Sequence, residues 1–527
     1  MSKAKLLPAP RRSFGITLNE AEDQNPIPLR RRANQSSANL CTIFETPSER
    51  MWGIKINGKS DNFSALDYTR STLPTSTTTT EESPIPDNEA IWLKLPITPK
   101  ARFGIRLKSP SKPMSTRASS HSPTRSLQFR FDAEKPKNSL FPMGKDTAIS
   151  LYQQILTENE RAEIKKYELI YYLNTENQKR MESYTDEKGC YKAEKGEHIA
   201  YRYEIHEILG EGTFGLVVKC FDHKECEYAA IKIYKKPYAF RKIGEIEKSI
   251  LKDLGKDDID DSKCILKSKE SFLFRGHLCI SMELMSLNLY EFLKKNDFRG
   301  IDMNLIRRIA VQLLIGIKYV HSKGYIHCDI KPENIVLRSE NKSSIKIIDF
   351  GSSSREGGNL CTYLQSRFYR APEILLGNRY NHQIDIWSLG CVLAELCLGI
   401  PLFPGENQYE CFVRIMATLG TPPINLIEKA YAKSDYFDQN NLPIIKENSN
   451  RETFIPGSRP LAEIFEGCDY KFITFLERCL TWDPKNRITA EEGLLHDWIK
   501  GDANKRSLLI SRRATSGVDI RRNKQKL

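Results

Sequence analysis

The chain has 527 residues, 28% of them charged, and a formal net charge of +13. That length exceeds one compact core and sets a prior of about three domain-sized units, while the basic balance favours acidic partners. No nucleic-acid-binding module is legible, so the charge reads mainly as solvated tails, and the thirteen scattered cysteines, with no C-x-x-C pair and no Cys/His cluster at zinc spacing, read as free thiols of a reducing compartment.

Residues 1–140 are dominated by Pro, Ser, Thr and basic residues, with a threonine run at Thr77 to Thr80. Such a composition buries too little apolar surface to offset its ordering entropy, so a disordered tail is expected. Within it, Arg12-Ser13-Phe14-Gly15-Ile16-Thr17-Leu18 resembles Arg50-Met51-Trp52-Gly53-Ile54-Lys55-Ile56 and Arg102-Phe103-Gly104-Ile105-Arg106-Leu107. Each joins an aromatic and a glycine to a strand-like alternation, a linear motif able to extend a partner's sheet. Chance similarity in a low-complexity segment is the alternative.

Order is expected from Phe141. Ala148, Leu151, Tyr152 and Ile155 follow helical spacing, and Thr157 with Glu160 forms a capping box for the next helix. Aromatics crowd Tyr167 to Leu173, and Tyr191 to Tyr203 leads into a strand. The block 141–202 therefore has an apolar surface of its own that must pack against something.

From Tyr203 the pattern turns to short strands. Gly210-Glu211-Gly212-Thr213-Phe214-Gly215 lies between Ile205–Leu209 and the β-branched Val217-Val218. Glycines between two strands let backbone N–H groups close over a triphosphate; before a helix the same spacing would suggest a dinucleotide site. Ala230-Ile231-Lys232 follows, with Lys232 placed to hold the α- and β-phosphates. Ile243, Ile246, Ile250 and Leu254 mark a helix ending at Gly255 as C-cap. Glu247 on it is the expected ion-pair partner of Lys232, with Glu245 facing away if Ile246 and Ile250 face the core. Met282-Glu283-Leu284-Met285 then forms a hinge between lobes, Glu283 and Met285 offering backbone groups to adenine.

Beyond residue 285 the pattern is helical. The most apolar run, Leu305 to Val320, is interrupted by Arg307, Arg308 and Lys318, so no membrane span is expected. It feeds into His327-Cys328-Asp329-Ile330-Lys331-Pro332-Glu333-Asn334, followed by Asp349-Phe350-Gly351 and Ala371-Pro372-Glu373. Asp329 can accept the proton of an attacking hydroxyl, Lys331 can face the transferring phosphate, and Asn334 and Asp349 offer oxygens to magnesium. That series is the parts list for phosphoryl transfer from ATP to protein. Ile384 to Leu396 reads as a buried helix opened by Asp385. Arg487 is placed to pair with Glu373, and 501–527 reads as a basic tail.

These motifs resemble the dual-specificity tyrosine-regulated kinases of the CMGC group. The marks are cysteine in His327-Cys328-Asp329, Ser352-Ser353 after Asp349-Phe350-Gly351, and Leu364-Gln365-Ser366-Arg367-Phe368-Tyr369-Arg370-Ala371-Pro372-Glu373. The resemblance covers about 145 to 500. Thr147 to Leu173 and Lys188 to Ile205 look like the N-terminal accessory region of the family's second class. It implies an α+β, bilobal protein kinase fold. A small β-rich N-lobe with one helix (203–285) joins a larger helical C-lobe (286–500), preceded by the accessory region (141–202). It also implies ATP and Mg2+ as cofactors and autophosphorylation of Tyr363, with serine or threonine modified in protein substrates. Arg367 and Arg370 then surround the phosphotyrosine, and Glu291 and Glu333 receive substrate arginines ahead of an acceptor followed by proline. Arg106-Leu107-Lys108-Ser109-Pro110 fits such a site, so Ser109 is an expected target of the chain itself. Cys361 and Ser354 depart from the family pattern, as does Met282 in a position commonly phenylalanine.

The rival class is a catalytically weak pseudokinase acting as a scaffold, which the loss of Lys232, Asp329, Asn334 or Asp349 would have favoured. The expected state is a monomer with protein substrates and no membrane or nucleic-acid module. Basic clusters at Arg30 to Arg32, Lys505-Arg506 and Arg521-Arg522 permit residence in cytoplasm, nucleus or both.

Overall fold

Two short strands open the computed structural model, which describes residues 140–175, 183–357, 364–448 and 452–501. The N-terminal tail with its aromatic–glycine motifs and Ser109, the segment Cys361 to Tyr363, and the basic C-terminal tail lie outside the described residues. Strands β1 (Met143–Gly144) and β2 (Leu169–Ile170) pair antiparallel and bracket helices α1 (Lys145–Leu151) and α2 (Glu158–Ile164). The expected capping box starts α2: Glu160 N donates to Thr157 Oγ1 at 3.2 Å, and Thr157 N donates to Glu160 Oε2 at 3.0 Å. The same cap ends the preceding helical stripe early. Thr157 must adopt an extended backbone (ψ 163°) to cap, so α1 stops at Leu151, and Leu151 and Ile155 stay 57% and 37% exposed. Leu156 fills the core in their place, with Met143, Ala148, Ile164, Ile170, Leu173 and Tyr201.

The upper lobe is a six-stranded antiparallel sheet ordered β3-β4-β5-β6-β8-β7. Its strands are β3 (His198–Ile199), β4 (Tyr203–Glu211), β5 (Gly215–Asp222), β6 (Glu227–Tyr234), β7 (Ser268–Phe274) and β8 (His277–Glu283). Side chains alternate between the two faces of a strand. Leu216, Val218, Cys220, Ala229, Ile231 and Ile233 thus share one apolar core, leaving Val217, Ala230 and Lys232 on the opposite face. Helix α3 (Tyr238–Lys256) runs on past Gly255, and Asp257 rather than a glycine caps it. Its buried stripe is Ile243, Glu247, Ile250 and Leu254, whereas Ile246 is 41% exposed. Helical spacing puts 243, 247, 250 and 254 on one face and 246 beside it, so Glu247 points inward in a different register from the one expected.

The accessory block docks on the turn between β7 and β8 in part through the guanidinium of Arg275. Arg275 donates to Glu197 Oε1 at 2.9 Å and Glu163 Oε2 at 3.3 Å, with Glu160 at 3.7 Å. The guanidinium also stacks 3.6 Å from the centre of the Tyr184 ring. Part of the block's apolar surface closes on itself, and part joins the lobe: Tyr191 and Ile199 share the core of the sheet with Ile205, Val218 and Phe274.

Below the hinge come α4 (Leu289–Lys295), α5 (Met303–Ser322), the two-residue strand β9 (Tyr325–Ile326) and the hairpin β10 (Ile335–Leu337) with β11 (Ile345–Ile347). Strand β12 (Ser354–Arg355) returns to pair with β9. Helices α6 (Pro372–Leu375), α7 (Gln383–Leu398) and α8 (Gln408–Leu419) follow. Every residue of α7 from Gln383 to Leu396 is buried, as a helix apolar on all sides requires. It ends at Gly399 (φ 86°), where a β-carbon would come within 1.9 Å of Phe298 O. Arg487 braces this lobe as expected: Nη1 and Nη2 donate to the two carboxylate oxygens of Glu373 at 2.8 and 2.9 Å. Among the described residues, no helix is long and apolar enough to cross a membrane.

Candidate active site

The sheet and α3 together build the upper wall of the cleft. Lys232 Nζ donates to Glu247 Oε2 at 2.7 Å and to Asp349 Oδ1 at 2.9 Å, joining β6, α3 and the Asp349-Phe350-Gly351 turn. Burial opposes the charge on Lys232, but Asp349 and Glu247 outweigh it and hold its pKa well above the ordinary lysine value. Burial likewise works against Asp349, yet Lys232 holds its carboxyl down at about 2. The turn between β4 and β5 contains Gly212, Thr213 and Phe214, with Glu211 ending one strand and Gly215 starting the next. Gly215 is demanded by packing, since a β-carbon would come within 2.0 Å of Ile233 O, whereas one on Gly210 meets nothing within 4 Å. Ala230 lies beside Met282 across β6 and β8. Glu283 closes β8, its carboxylate bound to Lys346 and to the Lys267 N–H, and Met285 packs against the lower core.

The lower wall is a loop fixed from beneath. Asp385, buried in α7, accepts from His327 N at 2.8 Å, Cys328 N at 2.9 Å and His321 Nε2 at 2.8 Å. It thereby holds Cys328 in a left-handed conformation (φ 67°) that a non-glycine residue adopts only when its surroundings impose it. His327 Nε2 reaches Ile348 O at 2.9 Å, which leaves its Nδ1 to accept from Asp329 N at 3.2 Å. Asp329 then takes Asn334 Nδ2 at 3.0 Å and Lys331 Nζ at 2.9 Å on Oδ2, and Ser366 Oγ at 2.8 Å on Oδ1. Lys331 also donates to Ser366 Oγ at 3.0 Å. Burial disfavours its charge, and Asp329 and Glu333 more than compensate, so its pKa is raised. Lys331 and Asp349 each act on the other's charge, which puts the two walls in one electrostatic neighbourhood.

The residues expected to meet peptide divide. Glu333 is half-buried, with Oε2 enclosed and unpaired among the described residues, and loss of solvent pushes its carboxyl up against the pull of Lys331. Glu291 instead completes a capping box with Asn288 at the exposed start of α4, Asn288 N donating to its Oε2 at 3.0 Å. No bond among the described residues joins it to Glu333. Asp329 is the carboxylate that acts on Glu333, and Glu333 in turn acts on Glu395 of α7, whose Oε2 accepts from Tyr369 Oη at 2.7 Å while Oε1 is unpaired among the described residues. Burial raises Glu395 to about 8, with the Tyr369 hydroxyl pulling the other way. Arg370 Nε donates to Leu364 O at 2.8 Å, and Arg367 Nη1 to Glu406 O at 2.7 Å. Both guanidiniums act on the buried Cys411 thiol, so they share one locality.

Two contributors escaped the sequence reading. Ser366 stood inside a quoted motif, but nothing in a serine announces that it will bridge Asp329 and Lys331. Glu395 is a polar letter in an apolar helix, and only its unpaired buried oxygen marks it.

Residues 203–499 match the protein kinase domain family, and with a two-lobed fold and all of Lys232, Asp329, Asn334 and Asp349 in one cleft the chain is a protein kinase. Dual specificity tyrosine-phosphorylation-regulated kinase 4 of Homo sapiens is 39% identical over 381 residues, covering 71% of this chain and 73% of that protein. Kinase 3 of the same series from Rattus norvegicus is 40% identical over 391 residues, 69% of this chain and 67% of its own length. Kinase 2 from Drosophila melanogaster is 42% identical over 376 residues, 69% of this chain but 52% of its own length, so the chain spans about half of that relative. The chain belongs to the dual-specificity tyrosine-phosphorylation-regulated kinase family of the CMGC group.

Proposed function

We propose that this chain transfers the γ-phosphoryl group of ATP to serine and threonine of protein substrates, after phosphorylating its own Tyr363. The observation that carries the reading is the bonding of Asp329 to Asn334, Lys331 and Ser366 in the same cleft as the Lys232–Asp349 pair. Asp329 is placed to take the proton of the acceptor hydroxyl, and Lys331 to face the charge that builds on the transferred group. Lys232, steadied by Glu247, is the clamp for the α- and β-phosphates.

Protein kinases as a class use ATP and magnesium. The donor set suits that ion: Asn334 Oδ1 and Asp349 Oδ2 are hard oxygens that take no hydrogen bond among the described residues. No cluster of three His, Cys, Asp or Glu forms there among the described residues. Magnesium favours one or two protein oxygens completed by phosphate and water over an all-protein cage. Bound there, it would neutralise charge on the β- and γ-phosphates.

Glu333 and Glu395 support a preference for arginine ahead of the acceptor. Two carboxylates with unpaired buried oxygens suit a forked guanidinium, which lysine replaces poorly. Arg367 and Arg370, close together on the segment after Tyr363, support an anchor for its phosphate and a pocket for a following proline. The test is phosphosite mapping of purified chain incubated with magnesium and ATP. Phosphate is expected on Tyr363 and on Ser109, and is expected to be absent from the Asp329→Asn variant. Equal labelling of both proteins would reject the reading.

A further inference from the structure

One buried tyrosine beside the nucleotide wall has none of the roles above. Tyr234 ends β6, two residues after Lys232, and is fully buried. Its hydroxyl donates to Glu247 Oε2, the oxygen that also accepts from Lys232. Its ring lies against α3 where that helix carries Gly244, and a β-carbon at that position would come within 2.9 Å of the ring. Glycine destabilises a helix interior, so this one is explained by the approach of the ring.

The main chain of Tyr234 leads the other way. Its carbonyl accepts from His277 Nδ1 at 2.7 Å, and His277 Nε2 meets Thr185 Oγ1 at 3.0 Å. Donation from Nδ1 fixes the tautomer of a neutral ring, whose Nε2 then accepts from the threonine hydroxyl. Burial lowers the pKa of His277 and keeps the ring neutral. Thr185 lies in the accessory block, and Arg275, two residues before His277, holds Glu160, Glu163 and Glu197 of that block. Bonds therefore run without a gap from the accessory block to the carboxylate that steadies Lys232.

We propose that Tyr234 is a positioning residue for the Lys232–Glu247 pair and that it ties the pair to the accessory block through His277 and Thr185. The proposal rests on the kinase reading. A carboxylate held by lysine alone can leave with its helix. A second donor from the sheet fastens α3 to β6 at the point where the ion pair must close.

The test compares wild type with Tyr234→Phe, which keeps the ring and removes only the hydroxyl. The expected result is a kcat/KM for ATP lowered by about tenfold, the weight of one hydrogen bond to a charged group, with KM for peptide unchanged. Thr185→Val gives a smaller loss of the same kind, and the double variant loses no more than Tyr234→Phe alone. Wild-type kinetics in Tyr234→Phe overturn the proposal, as does a loss shared equally by ATP and peptide terms. If that variant does not fold, Tyr234→Leu with Gly244→Ala, which refills the space, carries the same comparison. If the wild type transfers no phosphate, the kinase reading falls. Binding of a non-hydrolysable ATP analogue to the same proteins then decides the inference, equal affinity overturning it.

Discussion

The two sides of the cleft treat charge in opposite ways. On the nucleotide side every charge is answered: Lys232 meets Glu247 and Asp349, and Asp349 is held ionised down to about 2. On the side proposed to meet peptide, Glu333 and Glu395 each carry one enclosed oxygen with no hydrogen-bond partner among the described residues, and burial pushes Glu395 up to about 8. A closed set of charges is rigid and ready before its ligand arrives. An open pair is costly until a cation comes, so the cation itself supplies part of the driving force for binding. The difference bears on the proposed division of labour, in which the first side serves the chemistry common to all substrates and the second selects among peptides.

The largest effect should come from breaking the closed side. Lys232→Ala or Asp349→Asn should each lower the rate of peptide phosphorylation by about two or more orders of magnitude, the scale of a few kcal/mol of transition-state stabilisation. Steady-state assays with a single peptide measure this, and activity within tenfold of wild type in both variants would sink the account of that side.

Next comes the open side. Glu395→Gln removes the charge and nearly keeps the shape, so the ratio of kcat/KM for arginine- over alanine-containing peptides should fall by about tenfold, as when one charge-assisted bond is lost. The rate on the alanine peptide should hardly change. A loss on both peptides alike would make Glu395 a structural residue.

A pH series sharpens the contrast further. The raised pKa of Glu395 means that folding favours its neutral form, so its contribution to stability is full below the unfolded carboxyl value and is lost as pH rises through about 8. An arginine bound there favours the carboxylate, so KM for arginine peptides should fall several-fold between about pH 7 and 8.5, with no such trend for alanine peptides. Asp349 has the opposite sign: its stabilisation is present above the unfolded value and is lost only as pH falls toward about 2. The nucleotide side should therefore show no Asp349 titration in the neutral range, and KM for ATP measured across it serves as the control.

The smallest effect belongs to Glu291. Glutamine can serve the same capping position, so Glu291→Gln tests its charge alone. An exposed charge is expected to change arginine preference by a few-fold at most, measured with the same peptide pair. A change equal to that of Glu395→Gln would place Glu291 within the pocket.

Much of the closed side was legible because its residues sit in fixed spacings on short loops. Asp329, Lys331 and Asn334 lie so close in sequence that a single loop must bring them together, and Lys232 follows its glycines on adjacent strands. Glu247 was correctly chosen, but with Ile246 expected inward, because apolar spacing on one exposed-sided helix admits two neighbouring registers. The end of α1 was missed because Leu151 and Ile155 continue a helical stripe that the cap at Thr157 cuts. What could not be read was long-range partnership. Tyr234 looks like any alternating strand residue until its ring is seen on Gly244, and Glu395 is hidden in a helix whose apolarity announces only burial.

The most direct measurement of the central contrast is phosphorylation of a degenerate serine/threonine peptide library by purified wild-type chain with magnesium and ATP. The account predicts strong selection for arginine ahead of the acceptor and for proline after it, with the arginine selection lost in the Glu395→Gln variant while total turnover persists. Phosphorylation that is indifferent to arginine, or selection equally strong without the Glu395 carboxylate, would contradict it.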